Sequence, residues 1–389
     1  MFKIQTFNQI SDKGLVRFPR QDYQVSPDVE NADAILVRSQ KLSTANINPA
    51  LKAVARAGAG VNNIPVDEFT REGIIVFNTP GANANAVKEL VLCGLLLASR
   101  GIIEGINWVH SQSPDQDASA LSKLVETEKK HFKGLELKGK TLGVVGLGAI
   151  GALVADAAIQ LGMKVLGYDP AISVDAAWRL ANQIEKQENL TSLISRSDFV
   201  TLHLPVLETT RNLIDRKVIN YFRPGAVLLN FSRDAIVDEE ALLEALGNGR
   251  LSRYVTDFPT PKLVANKKTI LMPHIGASTD EAEENCAIMA VDQLRDFLEN
   301  GNIRNSVNFP SLSLEKSDGY RIAIINQNVP RMLGQILSIL ADKDINVIDM
   351  LNKSRDDVAY NLIDIESKPT DETLDDIRAI EHVIKVWLV

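Results

Sequence analysis

Residues 141–151 read TLGVVGLGAIG, an apolar, β-rich run that turns at Gly146 and opens a helix past Gly148 and Gly151. Each glycine has its own physical task in this spacing. Gly146 permits a tight turn, Gly148 lets backbone amides approach a pyrophosphate, and Gly151 lets the helix pack close to the strand. The helix N-terminus, with Ala149 and Ile150 in its first turn, adds partial positive charge where an anion would sit. The next apolar run, KVLGYD (164–169), ends in Asp169, 18 residues after Gly151. An acid at that separation can bind ribose hydroxyls and repel a 2′-phosphate, so NAD is the expected cofactor rather than NADP.

The same alternation of β-rich run and helical stretch continues on both sides. Candidate strands are AILVR (34–38), KAVAR (52–56), IIVF (74–77), DFVTLHL (198–204), AVLLNF (226–231), YVTD (254–257) and TILM (269–272), beside the two above. Helical patterns lie between them; DEEALLEALGNG has Asp238 as N-cap and Gly247 or Gly249 as its stop. Strand–helix alternation of this kind predicts α/β architecture with parallel, doubly wound sheets. Nine strands exceed one such unit, so two Rossmann-like lobes are expected.

Composition bounds the rest. A chain of 389 residues, 45% hydrophobic and 24% charged, calls for two or three domains. Its net charge of −8 argues against nucleic acid or an anionic membrane as the main partner. The two cysteines, Cys93 and Cys286, are too few for a disulfide scaffold or a multi-cysteine metal cluster, and both are expected as core thiols. No metal is expected. The start, MFKIQTFNQISDKG, lacks a signal-like apolar stretch, and the run Leu90–Ala98 is about half the roughly 20 residues that span a bilayer. A cytoplasmic location is the expectation.

After a polar, turn-rich stretch (301–319), read as a linker, the pattern changes. YRIAIIN (320–326) is a strand, and Pro330 is assigned to the first position of a helix whose Leu333, Ile336, Leu337 and Leu340 share one face. INVIDMLN, VAYNLIDI, a helix over 371–380 and VIKVWLV complete a βαββαβ order, a ferredoxin-like module. The expected division is a discontinuous substrate-binding lobe (1–95 and 284–310), a dinucleotide-binding domain (96–283) and a separate tail (316–389).

In open α/β sheets, ligands bind beyond the carboxyl ends of the strands. The unusual residues collect there: His203, Leu204 and Pro205; Phe231, Ser232 and Arg233; Asp257; and His274 with Gly276 and Ala277. Of these, His274 can accept a proton and return it, and Arg233, with its bidentate fork, can grip a carboxylate.

In order along the chain, VVGLGAIG, LHLP, LLNFSRDAIVDEEAL and MPHIGAS resemble the motifs of the D-2-hydroxyacid dehydrogenase family. VRSQ, RAGAGVNNI, NTPGAN and the terminal module narrow the resemblance to its phosphoglycerate-oxidising branch, with the tail similar to an ACT regulatory domain. The resemblance implies NAD-dependent oxidation of 3-phospho-D-glycerate to 3-phosphohydroxypyruvate, the first step of L-serine biosynthesis. It implies cofactor contacts from Thr79 and from the strand-end residues above. Substrate contacts would come from Arg38, Ser39, Arg56 and the turn Gly58, Ala59, Gly60, Val61. L-serine would bind Asn326, Asn328 and Asn346, where two tails pair in a homo-oligomer, a dimer or tetramer. The alternatives are a glyoxylate or hydroxypyruvate reductase on the same scaffold, or a catalytically impaired NAD-sensing regulatory protein.

One departure stands out. The family has a glutamate shortly after the aspartate of this segment, bonded to the histidine. Here Asp257-Phe-Pro-Thr-Pro-Lys262 has none at the matching place. Either His274 works without a carboxylate, or Asp257 serves both the nicotinamide and His274.

Overall fold

The computed structural model describes residues 1–389, the side chain of Asp175 excepted. The chain forms two compact units, Met1–Asn83 with Thr279–Val389, and Ala84–Ser278. No helix is long and apolar enough to cross a membrane.

The first unit contains β1 (Phe2–Phe7), β2 (Tyr23–Ser26), β3 (Ala34–Val37), β4 (Ala53–Arg56) and β5 (Ile75–Phe77), all parallel in the order β2-β1-β3-β4-β5. Parallel strands sandwiched between helices read as unbroken apolar runs, and β3 is buried at every position. The long helix Asp280–Asn300 packs Ala287, Ala290, Val291, Leu294 and Phe297 into the same core.

The second unit contains β6 (Thr141–Val145), β7 (Lys164–Tyr168), β8 (Glu185–Lys186), β9 (Phe199–Leu202), β10 (Ala226–Asn230), β11 (Leu251–Thr256) and β12 (Thr269–Leu271). Their order is β12-β11-β10-β9-β6-β7-β8, so the direction of winding reverses between β6 and β9. That reversal opens a crevice at the carboxyl ends of those two strands, where the glycine-rich turn lies. Asp238 caps its helix through Ala241 N as expected, and Gly249 follows in the left-handed region at φ +80°.

The tail is a four-stranded antiparallel sheet, β14 (Val347–Arg355), β15 (Val358–Ile365), β13 (Tyr320–Gln327), β16 (Val383–Leu388), with two helices on one face. Its second face is not open to water. Ala323, Ile325, Val358, Tyr360 and Leu362 share a core with Phe77, Leu294 and Phe297 of the first lobe.

Several expectations need correction. The stretch 301–319 is not a loose linker: Ile303, Phe309 and Leu312 are buried, and Ile303 and Leu312 exchange backbone hydrogen bonds. The tail has its own antiparallel sheet, as expected, and lies in one compact unit with the first lobe. The units change over just before the helices Ala84–Ser99 and Asp280–Asn300, whereas the expected changes at residues 95 and 283 fall inside them. Helix Ala84–Ser99 packs against the helix Ala149–Gln160 and strands β10 and β11, which draws it into the second unit. Cys286 is buried, but Cys93 is exposed, because Val87, Val91, Gly94 and Leu95 form the buried face of its helix. Pro330 lies two residues before the helix Met332–Asp342, whose N-cap is Arg331.

Candidate active site

At the crevice of the second unit, Gly146 has φ +90°, and a Cβ there would lie 2.3 Å from the His203 carbonyl oxygen. A Cβ on Gly151 would lie 1.9 Å from the Gly146 carbonyl oxygen, so strand and helix meet with no room for a side chain. Gly148 differs, since a Cβ there meets nothing within 4 Å. It is the N-cap of helix Ala149–Gln160 with no side-chain cap, so backbone donors at that terminus remain available to a phosphate. Asp169 accepts from Leu147 N at 2.9 Å and from Ala171 N at 3.0 Å, which fixes its carboxylate beside the glycine turn.

His203 lies beneath this turn. Its Nε2 is 2.9 Å from Thr201 Oγ1, and its Nδ1 is buried without a hydrogen-bond partner. Burial pushes its pKa down to about 3, so the ring is neutral. Ser232 stitches two strand ends together: its Oγ donates to Leu202 O at 2.6 Å and accepts from Leu204 N at 3.1 Å.

Arg233 follows. Its Nη1 donates to Ser232 O at 2.6 Å, and its backbone carbonyl accepts from Asn230 Nδ2 at 2.8 Å. The side chain is exposed and, among the described residues, has no ion-pair partner. Its guanidinium carbon lies 5.6 Å from the centre of the Phe258 ring. The His274 ring meets the same phenyl at 4.6 Å. The structure thus brings Arg233 and His274 to one aromatic ring.

Asp257 is 2% exposed; its Oδ2 accepts from Gly276 N at 3.0 Å and its Oδ1 is buried without a partner. That orphan acceptor suits a carboxamide N–H, as on a nicotinamide. Asp257 reaches His274 only through its backbone carbonyl, which accepts from His274 N at 2.8 Å. Its carboxylate therefore does not hold the imidazole.

In the first unit, Arg38 forms an ion pair with Glu283. Arg56 Nε donates to Arg38 O at 2.9 Å, so the two arginines belong to one loop system. Asn8, just past β1, accepts at its Oδ1 from Ser39 N and Gln40 N, at 2.9 and 2.7 Å. The turn Gly58–Val61 is held by Thr79 N to Gly58 O, at 3.1 Å, and by Asn78 Nδ2 to Ala59 O, at 2.6 Å. Thr79 is fully buried, and burial pushes the neighbouring Cys286 thiol up.

Residues 93–276 match the family model described as the D-isomer specific 2-hydroxyacid dehydrogenase NAD binding domain. A D-3-phosphoglycerate dehydrogenase of Escherichia coli is 31% identical over 384 residues, 95% of this chain and 89% of that protein. The chain belongs to the D-isomer specific 2-hydroxyacid dehydrogenases. The D-3-phosphoglycerate dehydrogenase of Methanocaldococcus jannaschii is 34% identical over 83% of this chain, which spans 60% of that longer protein. Among solved structures, an NAD-bound 3-phosphoglycerate dehydrogenase of Entamoeba histolytica superposes with a TM-score of 0.61 at 27% identity, covering 80% of this chain and 99% of that one.

As a member of this family, the chain uses NAD, and the donor-rich glycine turn, Asp169 and the orphan Asp257 Oδ1 fit it. The sequence pointed to the strand-end residues because they are contiguous motifs. It missed Phe258, Thr201, Asn230, Asn8 and Glu283. The position of Asn8 directly after a strand was the available signal, but β1 itself went unread. Phe258 and Glu283 are revealed by contacts between distant segments, and Thr201 and Asn230 by side-chain bonds within their own strand ends.

In the tail, Asn326 is 2% exposed and accepts from Asn361 Nδ2 at 2.7 Å. Asn328 Nδ2 donates to Asp356 O at 3.1 Å, and Asn346 Nδ2 to Glu366 at 3.3 Å. Arg331 has φ +76°, in the left-handed region that favours glycine.

Proposed function

We propose that this protein oxidises 3-phospho-D-glycerate to 3-phosphohydroxypyruvate with NAD, as a cytoplasmic enzyme at the first step of L-serine biosynthesis. The observation that carries this reading is the exposed Arg233 sharing one phenyl ring with His274, in the same unit as the glycine cradle. Arg233 grips the substrate carboxylate through two parallel hydrogen bonds and fixes C2. His274 accepts the C2 hydroxyl proton, and returns it to the carbonyl oxygen in the reverse direction. Bound NAD supplies the acceptor for the C2 hydride. Asp257 Oδ1 and the amides at Gly148 orient the cofactor. Arg38, Ser39, Arg56 and the turn Gly58–Val61 receive the substrate phosphate, which favours this substrate over glyoxylate or hydroxypyruvate.

The tail acts as a regulatory module for L-serine. Asn346 precedes β14, whose first residue pairs with Ile365 of β15 as Tyr320 does from the other side. Asn346 is thus level with the start of β13, with β15 between, whereas Asn328 follows the end of β13. These two side chains of one tail therefore lie at opposite ends of its sheet, and two copies paired head to tail would bring them together. A homo-oligomer is also supported by the helices Ile102–His110 and Ala118–Glu128, which have no buried residue. Ile106 and Val109 are each 51% exposed there.

The test is to follow NADH absorbance with phosphohydroxypyruvate, glyoxylate and hydroxypyruvate, each with and without L-serine. Turnover of phosphohydroxypyruvate in preference to the others, suppressed by serine, is expected. No turnover of any 2-oxo acid defeats the enzyme reading, and indifference to serine defeats the feedback.

A further inference from the structure

We propose that Phe258 is the positioning residue for His274, performing by aromatic packing the orienting task for which the family resemblance leads one to expect a glutamate. The inference rests on the dehydrogenase reading above and concerns the same site.

His274 needs an external constraint. Its backbone sits at φ +38°, in a region that costs a non-glycine residue energy and persists only where neighbours enforce it. The imidazole is exposed and makes no hydrogen bond or ion pair with any described residue. Its side-chain interaction is the contact with Phe258, centroids 4.6 Å apart and planes at 43°.

Among the described residues, no carboxylate of this region bonds the His274 imidazole. Asp257 Oδ2 takes Gly276 N. Glu239 accepts from the Thr260 hydroxyl, and Lys262 pairs with Glu240. The segment that would hold the glutamate instead begins a short helix, Pro261–Val264, capped by Thr260.

Phe258 is itself well anchored. Its N–H donates to Thr256 Oγ1 at 3.1 Å, and that hydroxyl donates to Asn230 O at 2.7 Å. Asn230 Nδ2 in turn holds the Arg233 carbonyl. The phenyl ring is therefore rooted on β10 and β11, and the residue before it holds His274 N. The ring's face also attracts the Arg233 guanidinium. One neutral plane thus sets the relative placement of base and carboxylate grip. Unlike a carboxylate, it leaves both imidazole nitrogens open.

The experiment compares Phe258→Leu and Phe258→Tyr with wild type, in steady-state reduction of phosphohydroxypyruvate and by NMR of the His274 ring protons. Those protons are assigned by their loss in His274→Gln. A fall in kcat of about 10- to 100-fold is expected in Phe258→Leu, with the KM for NADH unchanged and recovery in Phe258→Tyr. The His274 signals, displaced by the phenyl ring current in wild type, should move in Phe258→Leu toward those of an exposed histidine such as His110. If Phe258→Leu does not fold, Phe258→Met carries the same comparison. Wild-type kcat in the folded variant, no rescue by tyrosine, or unmoved His274 signals would overturn the inference. A wild type inert on every 2-oxo acid overturns the proposed function instead, and the NMR comparison then decides the positioning on its own.

Discussion

Arg321 and Asp364 form a two-pronged ion pair across β13 and β15, Nε to Oδ1 at 2.6 Å and Nη2 to Oδ2 at 2.8 Å, with both side chains 1% exposed. The other guanidinium hydrogens go to the carbonyls of Asn300, Leu314 and Glu315. The pair therefore fastens the tail's sheet to the chain that leads into it. Burial alone would disfavour a charged Asp364, but the hydrogen bonds and charge of Arg321, aided by Ser317, hold its carboxyl below the usual carboxylate range.

Removing one partner strands the other charge in the interior. Arg321→Met is expected to lower stability by about 3–5 kcal/mol, read from the denaturation midpoint of the full chain. A midpoint within error of wild type would mean that the pair contributes nothing.

How far this architecture could be read from sequence depends on how local each signal is. The parallel strands of both lobes are short apolar runs, and the glycine turn is contiguous, so both were legible. β1 and β2 were not: FKIQTF and YQVS mix polar and apolar residues, with only Ile4 and Tyr23 buried. β8 is two exposed residues and carries no signal. The Arg321–Asp364 pair joins positions 43 apart. The packing of Phe258 against His274 likewise belongs to tertiary structure, although both residues lie in segments that were singled out.

The glycines of the nucleotide turn should separate folding from binding. Gly151→Ala places a Cβ against the Gly146 carbonyl and should cost on the order of 3 kcal/mol or expression of folded protein. Gly148→Ala meets no atom within 4 Å, so it should keep the wild-type melting temperature while weakening NADH binding. Fluorescence titration with NADH and a thermal melt distinguish the two. Equal melting temperatures for both variants would contradict the geometry.

Arg233→Ala should lower kcat/KM for phosphohydroxypyruvate about a thousandfold, or ~4 kcal/mol of transition-state binding, with little change in NADH affinity. Arg233→Lys should recover little, since a point charge cannot reproduce the planar fork. Near-normal activity in the alanine variant would remove Arg233 from the site.

Half-buried, neutral His203 makes a pH signature. Its folded pKa of about 3 lies below the ordinary 6.5, so the unfolded chain binds more protons between those values. Its contribution to stability is complete above pH 6.5 and is lost progressively as pH falls toward 3. His203→Gln should therefore flatten the dependence of denaturation midpoint on pH across that window. An unchanged slope would show that another group dominates.

The tail's second face has a consequence for dissection of the molecule. β15 is buried at every position, Trp387 lies 5.8 Å from Phe297, and the Tyr360 hydroxyl donates to Gly301 O at 2.7 Å. Cutting the chain near residue 316 would not yield a simplified enzyme. It would flay an oily wall from the first lobe, and the amputated piece would carry a matching raw surface. A module of this kind is no detachable accessory: it has become masonry, and whatever strains it strains the wall it completes.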